Sequence, residues 1–258
     1  MFPKISAQYG IVIPNTYICS HPFNLNMMMR PKSVRREILS VLFIFLIVYG
    51  FSEEPVERTT VQKLIAREGL PNFFAKIQNG DSIRVGYLGG SITAQPGWRV
   101  YSLEWMKDRF PQAEFIEINA AIGGTGSDFG VFRLHDHVLK FKPDLVFIEF
   151  AVNDGGAASE KIIRSMEGIV RQIWKNNPFT DVCFIYTLKE SFLETEQNGE
   201  LPGSAATMEK VAEYYGIPTI NFGKEVATRV QTGQLIFTSK EQKELNGTMV
   251  FSPDGVHP

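Results

Sequence analysis

The chain has 258 residues, of which 44% are hydrophobic and 21% charged, with a formal net charge of -2. That balance fits one globular domain with a sizeable core and argues against nucleic acid as a partner. Two cysteines, Cys19 and Cys183, stand far apart without metal or redox spacing, and Cys183 lies in an apolar run that reads as core.

Residues 1–26 read as an upstream extension outside the fold, because Met27, Met28 and Met29 offer later starts. Residues 27–52 have the layout of a signal peptide. Arg30, Lys32, Arg35 and Arg36 precede an apolar stretch from Ile38 to Phe51, and cleavage after Ser52 would put small residues at positions 50 and 52. The stretch is shorter than the roughly 20 residues that span a bilayer as a helix. A secreted chain is expected, the alternative being an uncleaved leader that anchors it to a membrane. Residues 53–258 are then expected to hold the folded domain.

From about Gln62 onward, strand and helix patterns alternate. Ile83–Leu88 predicts a buried strand, ended by Gly89 and Gly90 and followed by Ser91. Trp98–Phe110 carries apolar residues at helical spacing and is stopped by Pro111. Glu114–Ile118 predicts a second strand, followed by Asn119-Ala120-Ala121-Ile122-Gly123-Gly124 and by a helix over Phe129–Phe141. Leu145–Ile148 predicts a third strand, leading to Ala151-Val152-Asn153-Asp154. An amphipathic helix over Ile162–Trp174 follows. A fourth strand over Asp181–Tyr186, a helix over Ala205–Tyr215 and a fifth strand over Pro218–Asn221 complete the series. Strands separated by helices predict an α/β fold: a parallel sheet of about five strands, wrapped on both faces.

In such sheets ligands bind beyond the carboxyl ends of the strands, and Ser91, Gly124 and Asn153 all follow strand ends. A serine hydroxyl is a weak nucleophile and needs an oriented base. His257 lies three residues after Asp254, so one loop can supply both base and orienting carboxylate. His135 and His137 sit in a helical segment and suit surface or packing roles. The backbone N–H groups of Ser91 and Gly124 and the amide of Asn153 are candidate donors to an oxyanion. Taken alone, Ser91 also reads as a helix N-cap, and the glycines at 123, 124 and 126 as a tight turn. Those glycines do not make a dinucleotide fingerprint, because Phe129 stands where glycine is required. No zinc-protease or paired-cysteine spacing occurs either, so neither cofactor nor metal is expected.

These four blocks, in this order, resemble the SGNH (GDSL-type) hydrolase family over roughly Ile83–His257. The resemblance implies a flavodoxin-like three-layer α/β/α fold and cofactor-free acyl hydrolysis or transfer. It assigns Ser91 as nucleophile, Gly124 and Asn153 as oxyanion donors, His257 as base and Asp254 as its orienting acid. The family's Gly-Asp-Ser-Leu reads Gly89-Gly90-Ser91-Ile92 here, and Ala151 replaces a usual glycine. Family members continue into a further helix beyond the base. The domain is therefore expected to be truncated at Pro258, with a mobile, weakly anchored Asp254–His257 loop. The first two blocks, with Gly97-Trp98-Arg99, are similar to members that deacetylate polysaccharides, and Trp98 and Arg99 would line the site or serve the core. The expected function is a serine esterase acting on acetyl or other short-chain esters of a small molecule or polysaccharide. The alternatives are an acyltransferase on sugar hydroxyls and a non-catalytic carbohydrate-binding protein with the same fold.

Overall fold

A computed structural model describes residues 61–239, 244, 245 and 247–258. The leader and upstream extension lie outside the described residues. In chain order the elements are β1 (Leu64–Ile65), α1 (Pro71–Asn79), β2 (Ser82–Gly89), α2 (Ser91–Ala94) and α3 (Trp98–Arg109). Next come β3 (Glu114–Asn119), α4 (Ser127–His137), β4 (Leu145–Glu149), α5 (Ser159–Asn176) and β5 (Asp181–Tyr186). Then follow α6 (Leu193–Gln197), α7 (Gly203–Tyr215), β6 (Thr219–Asn221), α8 (Phe222–Gln231), β7 (Ile236–Thr238), β8 (Glu244–Leu245) and β9 (Thr248–Ser252).

The main sheet runs β1-β6-β5-β4-β2-β3, with every pair parallel except the antiparallel edge β1–β6. All five expected strands are present, in the spatial order second, first, third, fourth, fifth. That is the flavodoxin-like order of a doubly wound sheet. β4 and β5 are buried along their whole length, which is why they read as continuous apolar runs rather than alternating ones.

Alternate residues of these strands feed two cores. Leu88, Ile148 and Phe184 face α4, α5 and α7, where Leu134, Met166, Ile169 and Met208 meet them. Val85, Tyr87, Phe147 and Ile185 face the other way, onto Phe73 and Ile77 of α1 and Leu103 and Met106 of α3. Cys183 belongs to this second core, and burial pushes its thiol up to about 12. Trp98 also packs here, against Tyr87, Phe147 and Phe222 with ring centroids 5.5–6.0 Å apart.

The elements not expected are the edge strand β1, α1, α6, α8 and a three-stranded sheet in the order β7-β9-β8. α8 is capped by Asn221, whose side chain accepts a hydrogen bond from the Lys224 amide at 3.0 Å. The small sheet leans on α8 through a third cluster, with Phe237 and Phe251 beside Leu188 and Ala227. It delivers the chain to Ser252 and hence to the last block.

At the amino rim, away from that block, strand carboxylates hold α1. Asp181 Oδ2 accepts from the Phe73 amide at 2.7 Å and Oδ1 from Asn72 Nδ2 at 2.9 Å. This is a helix cap supplied from another element, because Leu70 at the N-cap has no capping side chain. Asp181→Ala is therefore expected to cost about 1–2 kcal/mol of stability, seen as a lower urea midpoint with an unchanged slope. An unchanged midpoint would show that α1 does not depend on this cap.

Candidate active site

β2, β3 and β4 end on one rim, beside the switch point between β2 and β4. Ser91 opens α2 directly after the Gly89-Gly90 pair. Both glycines are set by close approach. A Cβ on Gly90 would overlap the Asn153 amide, lying 2.6 Å from its Cγ, and one on Gly89 would lie 2.7 Å from Thr93 Cβ. In this structure Asn153 occupies the space that a side chain at position 90 would need. The loop after β3 passes over Ser91, with a Cβ position on Gly123 only 3.6 Å from Ser91 Cβ. Gly124 has φ +73°, a left-handed conformation that favours glycine.

A buried arginine absent from the expected site ties these loops together. Arg133 Nη1 donates to Ala120 O, and Nη2 to Gly89 O at 3.2 Å. Arg99 braces the other end of α2, donating from Nε to Thr93 O at 2.9 Å and pairing with Glu117. Arg99 is thus a buried brace, not an open wall of the site.

The last block completes the arrangement. Asp254 Oδ1 accepts from the amides of Val256 at 2.9 Å and His257 at 2.7 Å, which folds the loop on itself. Asp254 Oδ2 lies 2.7 Å from His257 Nδ1, and His257 Nε2 lies 2.8 Å from Ser91 Oγ. The hydrogen bond from His257, helped by the two backbone amides, holds the Asp254 carboxyl well below the usual carboxylate range. An ionised Asp254 accepts from Nδ1–H, which leaves Nε2 free to accept the Ser91 proton. His135 instead pairs with Asp136 on an exposed helix face, and His137 follows it on α4.

The loop expected to be weakly anchored has contacts on its upstream side. β9 pairs with both β7 and β8, and the Glu190 amide donates to Gly255 O at 2.7 Å. Gly255 has φ +80° and sits against the Glu190 side chain.

Beneath the rim lies Glu149, fully buried at the end of β4. It accepts from Thr93 Oγ1 and Thr187 Oγ1, each at 2.8 Å. Burial raises its carboxyl above the ordinary range despite these donors. The signal for it in the sequence was a carboxylate closing an otherwise apolar strand. The folded chain then keeps a proton that the unfolded chain has already released, so stability falls as pH rises through the folded value. Glu149→Gln removes that loss. Its melting temperature is expected to exceed the parent's by a margin that grows as pH rises above the ordinary carboxylate range. A margin independent of pH would contradict the raised carboxyl.

Among curated proteins no sequence matches the chain. Among solved structures, a two-domain esterase active on acetylated mannans, co-crystallized with mannopentaose, is 29% identical with a TM-score of 0.59. That match covers 73% of this chain and 48% of the esterase, so the chain spans about half the length of that relative. An acetyl xylan esterase is 21% identical with a TM-score of 0.52, over 68% of this chain and 91% of its own. A lipase/acylhydrolase from Enterococcus faecalis is 20% identical with a TM-score of 0.50, over 68% and 86%. The last two show the shared fold. The model of the GDSL-like lipase/acylhydrolase family matches residues 80–258, from the strand before Ser91 to the loop of His257, and the chain belongs to that family.

Proposed function

We propose that the chain is a serine esterase that removes short acyl groups, with acetylated polysaccharide as its substrate class. The observation that carries this reading is the continuous hydrogen-bond path from Asp254 through His257 to Ser91 Oγ, with links of 2.7 and 2.8 Å. Likeness to an esterase active on acetylated mannans supports the polysaccharide part. The leader-like pattern of residues 27–52 fits an exported substrate.

Ser91 Oγ attacks the ester carbonyl carbon as its proton passes to His257 Nε2. The carbonyl oxygen becomes an oxyanion, held by the N–H groups of Ser91 and Gly124 and by the Asn153 amide. Asp254 remains a carboxylate and stabilises the imidazolium. Collapse of the intermediate expels the sugar alkoxide, which takes the proton from Nε2 and leaves an acyl-Ser91 ester. Water then attacks with His257 again as base, releasing the carboxylic acid and restoring Ser91. No step needs a metal or cofactor.

Ser91→Ala is expected to lower kcat on 4-nitrophenyl acetate by about 10⁵-fold or more. Asn153→Ala is expected to lower it by about 10²–10³-fold. Steady-state turnover by purified, folded variants checks both. Activity that survives Ser91→Ala would sink the reading.

A further inference from the structure

The acyl-transfer steps make no use of Glu149, yet its side chain joins the two halves of the site. Thr93, two residues after Ser91, donates to Oε2, and Thr187, at the exit of β5, donates to Oε1. Three residues past Thr187, the Glu190 amide holds Gly255 O at 2.7 Å. Gly255 lies between Asp254 and His257. The bonds above the site, from Asp254 through His257 to Ser91, are thus matched by a second path below it, through Thr93, Glu149, Thr187 and Glu190.

We propose that Glu149 is a positioning residue for acyl transfer. Its carboxyl fixes the turn of Ser91 against the β5 exit, and so sets the distance from Ser91 to the loop that carries His257. The proposal rests on the reading of Ser91 as the nucleophile. Its physical support is twofold. An enclosed carboxyl is costly in an apolar strand, and an apolar residue of similar length would pack there at less cost. Threonine is also stiff at χ1, so a contact made through its hydroxyl transmits the position of the backbone behind it. A misplacement on the order of 1 Å between reacting groups lowers rates about 100-fold.

Three variants of the full chain test this on 4-nitrophenyl acetate. Glu149→Met, which keeps length but bonds neither threonine, is expected to lower kcat about 100-fold, with KM within about threefold. Thr93→Val is expected to lower kcat about tenfold. Glu149→Gln, whose amide bridges both hydroxyls again, is expected to recover at least about a third of the parental kcat. A merely structural role would shift the melting temperature and leave kcat alone. The proposal is overturned if Glu149→Met keeps kcat within about twofold of the parent, or if Glu149→Gln is as slow as Glu149→Met. If Glu149→Met does not fold, Thr93→Val decides by the same twofold limit. A parent chain without turnover marks failure of the esterase reading instead. The readout is then the His257 Nδ1 proton resonance, expected to shift in Thr93→Val; an unmoved resonance overturns the proposal.

Discussion

The site depends on a pinch between the exits of β2 and β4, where two consecutive glycines leave no room for a side chain. Gly89 admits Thr93 and the Glu149 backbone, and Gly90 admits the Asn153 amide, all closer than any Cβ would allow. This contact brings the start of α2, which carries Ser91, up to the turn that carries Asn153. With the pinch closed, Arg133 and Arg99 brace the loops on either side of it by binding their carbonyl oxygens.

Two carboxyls near the rim are shifted in opposite directions because their surroundings differ. Asp254 is exposed, accepts from an imidazole and two backbone amides, and is held below the carboxylate range. Glu149 is enclosed, accepts only from two hydroxyls, and is pushed above that range by burial. Charge is thereby favoured on the carboxylate that faces the imidazole and discouraged on the one beneath the turn of Ser91. Environments that push paired carboxyl groups apart in this way allow one fold to assign them different tasks.

Much of this was legible in the sequence because a parallel sheet buried on both faces writes itself as short apolar runs. Leu145–Ile148 and Asp181–Tyr186 are such runs, and both lie in strands at their expected places. Of the elements left unread, α1 and α8 are helices of nine and ten residues, while the strands are too short or too polar to register. β1 spans two residues, β8 another two, and β9 carries threonine and serine at its ends. The short distances among Ser91, His257 and Asp254 join residues that composition and order had already marked. Arg133 and Glu149 were missed for a different reason. Their role comes from backbone carbonyls and hydroxyls brought to them by the fold, and no local spacing encodes that.

The central claim is that Ser91 carries the acyl group between two half-reactions. Rapid quenching after mixing the chain with an acyl ester, followed by peptide mass spectrometry, tests it directly. The account predicts an acyl adduct on the peptide containing Ser91, formed early and lost as product accumulates. Continued turnover with no adduct, or with the adduct on another residue, would contradict it.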